Sequence, residues 1–132
     1  MSKELFWLVL TVAMTGLIWV PYILDRMIAR GVMGTLANPS SGDAPQTAWA
    51  QRMMAAHTNA VENLVVFAPL VLITQDLNIS TNVTVFACAL YFWSRLVHVV
   101  VYVLGIPVAR TLAFAGGFVA QVMLVLAMFK LI

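Results

Sequence analysis

Long runs without charge constrain this 132-residue chain more than any other feature. Residues 5–24, 53–75 apart from Glu62, 77–109 apart from Arg95, and 111–129 carry no Asp, Glu, Lys or Arg. A helix of about 20 apolar residues crosses the hydrocarbon core of a bilayer. Backbone in lipid must satisfy its own hydrogen bonds, which leaves helices or closed barrels. Charged residues make up 9% of the chain and hydrophobic ones 63%, whereas soluble domains carry about 25% charged residues. The expectation is an all-α integral membrane protein, a four-span up-down bundle with no separate soluble domain.

Turn chemistry divides the runs. Residues 38–47, NPSSGDAPQT, form the one long polar stretch and read as a loop. Residues 75–82, QDLNISTN, are a short break with Ser80 or Thr81 placed to cap the next helix. Residues 104–110, LGIPVAR, turn tightly around Gly105 and Pro107. Helices are expected at roughly 4–34, 48–75, 81–104 and 108–131. The first apolar run is longer than the ~7–15 residues of a signal-peptide core and lacks a small-x-small cleavage site, so it is read as a permanent span. Arg26, Arg30, Arg52 and Arg110 fall on the side of the 38–47 loop and only Lys3 and Lys130 on the other. The positive-inside rule then makes that loop cytoplasmic. The lone Cys88 can form neither an internal disulfide nor a cysteine metal cluster. A net charge of +2 gives no basis for nucleic-acid binding.

The scarce polar residues fall into stripes. Arg52, Asn59 and Glu62 occupy one side of the second span, Arg95, His98 and Tyr102 one face of the third, and Tyr22, Arg26 and Arg30 recur every four residues on the first. Arg110, with Thr111 beside it, opens the fourth. The four arginines of the loop side fit either interface anchors whose stems lie in apolar surroundings or a functional site. His57 points off the Asn59–Glu62 side and reads as structural or interfacial. Glu62 and Arg95 demand more. A charge at the centre of a span costs about 2.5–3.5 kcal/mol on insertion scales and normally faces the bundle interior with a partner. The two sit at comparable depth in neighbouring spans, so either they pair or Glu62 faces a ligand. In both cases Asn59, His98 and Tyr102 make a polar pocket.

Several arginines, one carboxylate, an amide and a phenol suit a small zwitterion with more negative than positive groups, since guanidinium groups fork onto carboxylates. No HExxH helix, Cys–His set, G-x-S-x-G elbow or glycine-rich phosphate loop is present. Metalloenzyme, serine-hydrolase and nucleotide-binding chemistry have no support.

The order H-x-N-x-x-E (His57, Asn59, Glu62), R-x-x-H-x-x-x-Y (Arg95, His98, Tyr102) and an arginine opening the fourth span resembles the MAPEG family of membrane-associated proteins in eicosanoid and glutathione metabolism. Ala37-Asn38-Pro39 at the loop start is also similar to that family. The resemblance implies a homotrimer in contact with membrane lipids, binding glutathione as co-substrate between subunits near the cytoplasmic face. It implies that Arg30, Asn59, Glu62, Arg95, His98 and Tyr102 line that site and that Arg110 and Thr111 serve the thiol. A lipophilic small-molecule substrate would enter sideways between the first and fourth spans of adjacent subunits. The small size and short loops point to a bacterial inner-membrane member.

The chain also departs from the pattern. Ala55-Ala56-His57 replaces R-A-H, Thr58 and Ala60 stand where arginine and aspartate occur in relatives, and Phe114 stands where the prostaglandin synthase has tyrosine. One cation fewer weakens the hold on carboxylates. The resemblance therefore implies a glutathione-dependent transferase or peroxidase acting on lipophilic electrophiles or lipid hydroperoxides. The alternative is a non-catalytic lipid-binding or partner-presenting protein on the same scaffold.

Overall fold

Every apolar run is helical in the computed structural model, which describes all 132 residues. Five helices result: α1 (Lys3–Leu17), α2 (Trp19–Leu36), α3 (Ala48–Asp76), α4 (Asn82–Leu104) and α5 (Pro107–Met128). Taken together, α1 and α2 make one span, so four helical segments are long and apolar enough to cross a membrane. The protein is an all-α four-span bundle.

Where one helix over 4–34 was expected, the first span is interrupted twice. Pro21 has no N–H to give the Leu17 carbonyl, and the chain tightens there, with Ile18 N–H bonded to Thr15 O at 3.4 Å. Gly31 adopts φ 70°, ψ 171° inside α2, a conformation open to glycine and strained for other residues. The remaining ends follow local chemistry. Thr81 caps α4 through a reciprocal pair of bonds with Thr84. Asn78 takes a left-handed conformation (φ 55°) after α3, letting Ile79 N–H reach back to Thr74 O at 2.9 Å. Gly105 ends α4 at φ 76°, and Pro107 starts α5 where a missing N–H costs nothing.

The hub of the bundle is α4, which packs against α1, α3 and α5, most extensively against α5. One core cluster lies toward the end holding both termini and joins Leu8, Phe67, Val71, Ala87, Cys88, Tyr91, Ala120 and Leu124. In its middle the Phe67 and Tyr91 rings stack 3.6 Å apart at 5°. A second cluster, Ile18, Ala56, Ala60 and Val99, lies toward the 38–47 loop. Ala60 is 3% exposed, so a carboxylate there would be buried among aliphatic side chains.

Polar clamps secure both ends. At the loop end, Asp25 is buried. It accepts the Thr47 hydroxyl at 2.6 Å, the Thr47 N–H at 3.1 Å and the Gln46 amide at 3.3 Å. Arg26 Nε donates to Gln46 Oε1, and the same amide donates to Tyr22 O. At the opposite end the buried Glu4 of α1 accepts the Ser80 and Thr84 hydroxyls at 2.9 and 2.6 Å. Thr81, rather than Ser80, caps α4, which leaves Ser80 free for this bond. Hydrogen bonds to charged groups contribute about 1.5–3 kcal/mol each. Glu4→Ala should therefore lower the unfolding free energy in a detergent titration by about 2 kcal/mol or more, since the hydrogen bonds of Ser80 and Thr84 to a charged carboxylate are lost together.

Candidate functional site

An open cleft of about 280 Å³ is lined by Asn59 of α3, His98 and Tyr102 of α4, and Arg110, Thr111 and Phe114 of α5. Three helices are needed to build it, and each supplies its residues by regular spacing. His98 and Tyr102 are one turn apart on α4, as are Arg110 and Phe114 on α5. The tight Gly105–Pro107 turn folds α5 back so that Arg110 returns to the level of Tyr102.

Arg110 lies over Tyr102, its guanidinium carbon 4.4 Å from the ring centroid, a cation–π geometry. Neither the Arg110 guanidinium nor the Tyr102 hydroxyl has a hydrogen-bond partner among the protein's groups. The His98 ring meets Tyr102 edge to face at 5.5 Å and 69°, and its Nδ1 is buried without a partner. Thr111 is exposed and donates to Pro107 O at 3.1 Å, within its own helix. No acidic residue lines the cleft.

Arg95 lies beneath this surface, 1% exposed. Its Nη2 donates to Asn59 Oδ1, and Nε and Nη1 have no partner. The guanidinium carbon stands 6.0 Å from the Phe114 ring centroid. Arg95 is thus the support behind Asn59 rather than part of the lining. The Glu62–Arg95 pair weighed from the sequence does not form: the structure's ion pair is Arg30–Asp43. Glu62 is exposed on the surface of the chain, one turn beyond Asn59.

The other expected residues are placed as follows. Asn59, His98, Tyr102, Arg110 and Thr111 converge on the cleft. Arg30 does not reach it. Arg30 Nη1 holds Asp43 at 2.9 Å and Nε donates to Ala44 O at 2.8 Å, tying the loop to α2. Arg52 is likewise committed, donating to Val103 O at 2.8 Å near the C-terminal end of α4, where a cation complements the helix dipole. His57 Nδ1 bonds the Tyr22 hydroxyl at 2.8 Å, joining α2 to α3. Phe114 was noted in the sequence only as a departure, yet it forms a wall. Its signal was the one-turn spacing from Arg110. Asp25 and Gln46 gave no signal. Ala55, where relatives carry arginine, is exposed one turn before Asn59, so the missing cation would have stood beside the cleft.

Fold and cleft together define a four-span integral membrane protein with a cation-bearing, acid-free site at the loop end of its bundle. The MAPEG family model matches residues 5–130, and the chain belongs to the MAPEG family, which places it among membrane proteins related to glutathione and eicosanoid metabolism. No curated protein and no solved structure matches the chain.

Asn59→Leu should lower stability by about 1.5–3 kcal/mol, because it removes the only acceptor of a buried cation. The double variant Asn59→Leu/Arg95→Met should recover most of that loss, as apolar replacement of buried ionic groups often does. Unfolding titrations in mixed detergent measure both. In the loop, the Ser40 backbone N–H and then the Ser40 hydroxyl hold the Asp43 carboxyl below the usual carboxylate range, against an opposing effect of burial and with lesser help from Arg30 and Arg26. A depressed folded-state value means that this stabilisation is fully present above the unfolded-state value and is lost as pH falls through the folded one. Proteolysis of the 38–47 loop should accordingly accelerate in acid, and Asp43→Asn should cleave at the faster rate even at neutral pH.

Proposed function

We propose that the protein is a glutathione-dependent transferase or peroxidase acting on lipophilic electrophiles or lipid hydroperoxides in the membrane. The observation that carries this reading is the placement of Arg110. It is a cation without a carboxylate partner, held against Tyr102 at the mouth of a cleft whose remaining polar atoms are Asn59, His98 and Thr111. The thiolate is the reactive form of a thiol, and neighbouring cations favour it. Arg110 stabilises the bound thiolate, and the Thr111 hydroxyl, turning away from Pro107 O, donates to the sulfur. Asn59, His98 and Tyr102 hold the peptide. In the transfer reaction the sulfur forms a bond to the electrophilic carbon, and the leaving group departs with its electron pair. With a hydroperoxide, the thiolate takes the terminal oxygen and releases the alcohol, and a second glutathione reduces the resulting sulfenic acid to give the disulfide and water.

The cleft of one protomer is small for a tripeptide and open on one side. Exposed Glu62 faces outward as the one charge within residues 53–75, where an unpartnered charge is costly. Both observations support a homotrimer in which neighbouring protomers complete the site and Glu62 receives the peptide's amine. A lipophilic co-substrate then enters from the bilayer between α1 and α5 of adjacent subunits. The Arg26, Arg30, Arg52 and Arg110 bias supports a cytoplasmic 38–47 loop, and the short loops a bacterial inner membrane.

One observation favours a second reading, a non-catalytic lipid-binding or partner-presenting protein. Arg30 is spent on Asp43, and Ala55 supplies no cation, so fewer charges reach the cleft than the sequence promised. Purified protein with glutathione and chlorodinitrobenzene, or with a lipid hydroperoxide, separates the two. The expected result is turnover with a thiolate absorbance band, both abolished in Arg110→Ala, and glutathione binding weakened in Glu62→Gln. Absence of turnover, band and binding in the unmodified protein would support the second reading instead.

A further inference from the structure

Two adjacent glycines lie where α5 crosses α4, immediately below the cleft. Gly117 is three residues past Phe114 and seven past Arg110, so the three share one side of α5. A Cβ added at Gly116 would stand 2.6 Å from Ser94 Oγ but 3.5 Å from Ser94 Cβ. The first distance is one that real side chains do not adopt, and the second is ordinary contact. A Cβ at Gly117 would meet Arg95 Cδ at 3.3 Å, with Arg95 Nη1 and Tyr91 Cδ2 both at 3.9 Å. Arg95 is nine-tenths buried or more and Nη1 has no partner, so the glycine sits against the shaft and head of the buried cation that supports Asn59.

We propose that Gly116 and Gly117 are positioning residues of the cleft: Gly116 sets the α4–α5 separation that brings Arg110 over Tyr102, and Gly117 clears the path along which Arg95 reaches Asn59. The two roles differ in what limits them. At Gly116 the obstacle is a single hydroxyl oxygen on the facing helix, removable by one substitution. At Gly117 the obstacle is the arginine stem, which the site itself needs. A methyl there shifts the arginine stem by a few tenths of an ångström and disturbs the alignment of its guanidinium with Asn59, while leaving Arg110, two turns away, in place. Asn59 is a binding group and Arg110 the group at the sulfur, so the displacement falls on thiol affinity and not on the chemical step.

The test uses the full chain in detergent and four variants: Gly116→Ala, Ser94→Ala, Gly116→Ala/Ser94→Ala and Gly117→Ala. Thermal unfolding, which needs no substrate, should show Gly116→Ala destabilised, Ser94→Ala unchanged and the double variant restored, a coupling that only a contact between the two sites produces. In 15N-arginine-labelled protein, Gly117→Ala should shift the Arg95 Nε–H signal, assigned by its loss in Arg95→Lys, and the restored double variant should not. The kinetic arm rests on the glutathione reading. There, Gly117→Ala should raise the KM for glutathione about tenfold with kcat little changed. A protein that turns over no glutathione contradicts that reading and leaves the unfolding cycle and the arginine signal to decide the inference. A harmless Gly116→Ala, a defect that persists in the double variant, or a Gly117→Ala that leaves the Arg95 signal unmoved would overturn it.

Discussion

An arginine held inside a lipid-solvated bundle by a single asparagine is the constraint around which this protein is arranged. Arg95 has no carboxylate within reach, and two of its donor nitrogens have no partner. Such a group is expensive wherever it is buried and more so with hydrocarbon outside. Three consequences follow along the chain. On α3, Asn59 must present its amide oxygen inward. On α5, side-chain volume must vanish at Gly117. Between α4 and α5 a short turn must hold the two helices in register, so that Phe114 closes over the guanidinium. The cleft forms above these accommodations, and its lack of acidic groups continues the lack of a counter-charge below.

The same helix shows how polarity is distributed across the bilayer. Thr84, Cys88, Tyr91, Arg95, His98 and Tyr102 alternate steps of four and three along α4 and form its inward face. All five buried polar atoms without partners belong to Tyr91, Arg95 and His98 of this face, or to Glu4 packed against Thr84. The stripe is divided by the stacked Phe67 and Tyr91 rings and the aliphatic cluster around Cys88. Polar chemistry therefore occupies the two ends, and an apolar plug separates them. Both ends carry a polar clamp, and the loop end adds the unsatisfied donors of Arg95 beneath its cleft.

Much of this was legible in the sequence because lipid leaves few alternatives. Long uncharged runs had to be helices, and periodicity on α4 placed Arg95, His98 and Tyr102 together without any knowledge of their neighbours. Five of the eight residues marked for the site converge on the cleft, and Arg95 supports it from below. The rest depended on quantities that spacing does not contain. At about 100° per residue, Glu62 is turned about 60° from Asn59, enough to move it from the cleft to the exposed side of α3. The fate of Arg30 was set by the loop's own Asp43, whose carboxylate Ser40 holds toward it. Asp25 and Glu4 flank the uncharged run 5–24 and carry no spacing signal in the sequence. Their burial arises from contacts 22 and 80 residues away in the chain, to Thr47 and Thr84.

That last contact bears on how the protein is made. Spans enter a membrane in order as the ribosome delivers them, and the acceptor on α1 has its donors at the start of the third span. Until that span is made, Glu4 has neither of these donors. Once Ser80 and Thr84 are in place, the earliest segment synthesised becomes fixed by one of the later ones. The clamp therefore needs the third span to have been made, and a chain that stops short of it lacks these contacts of its first helix.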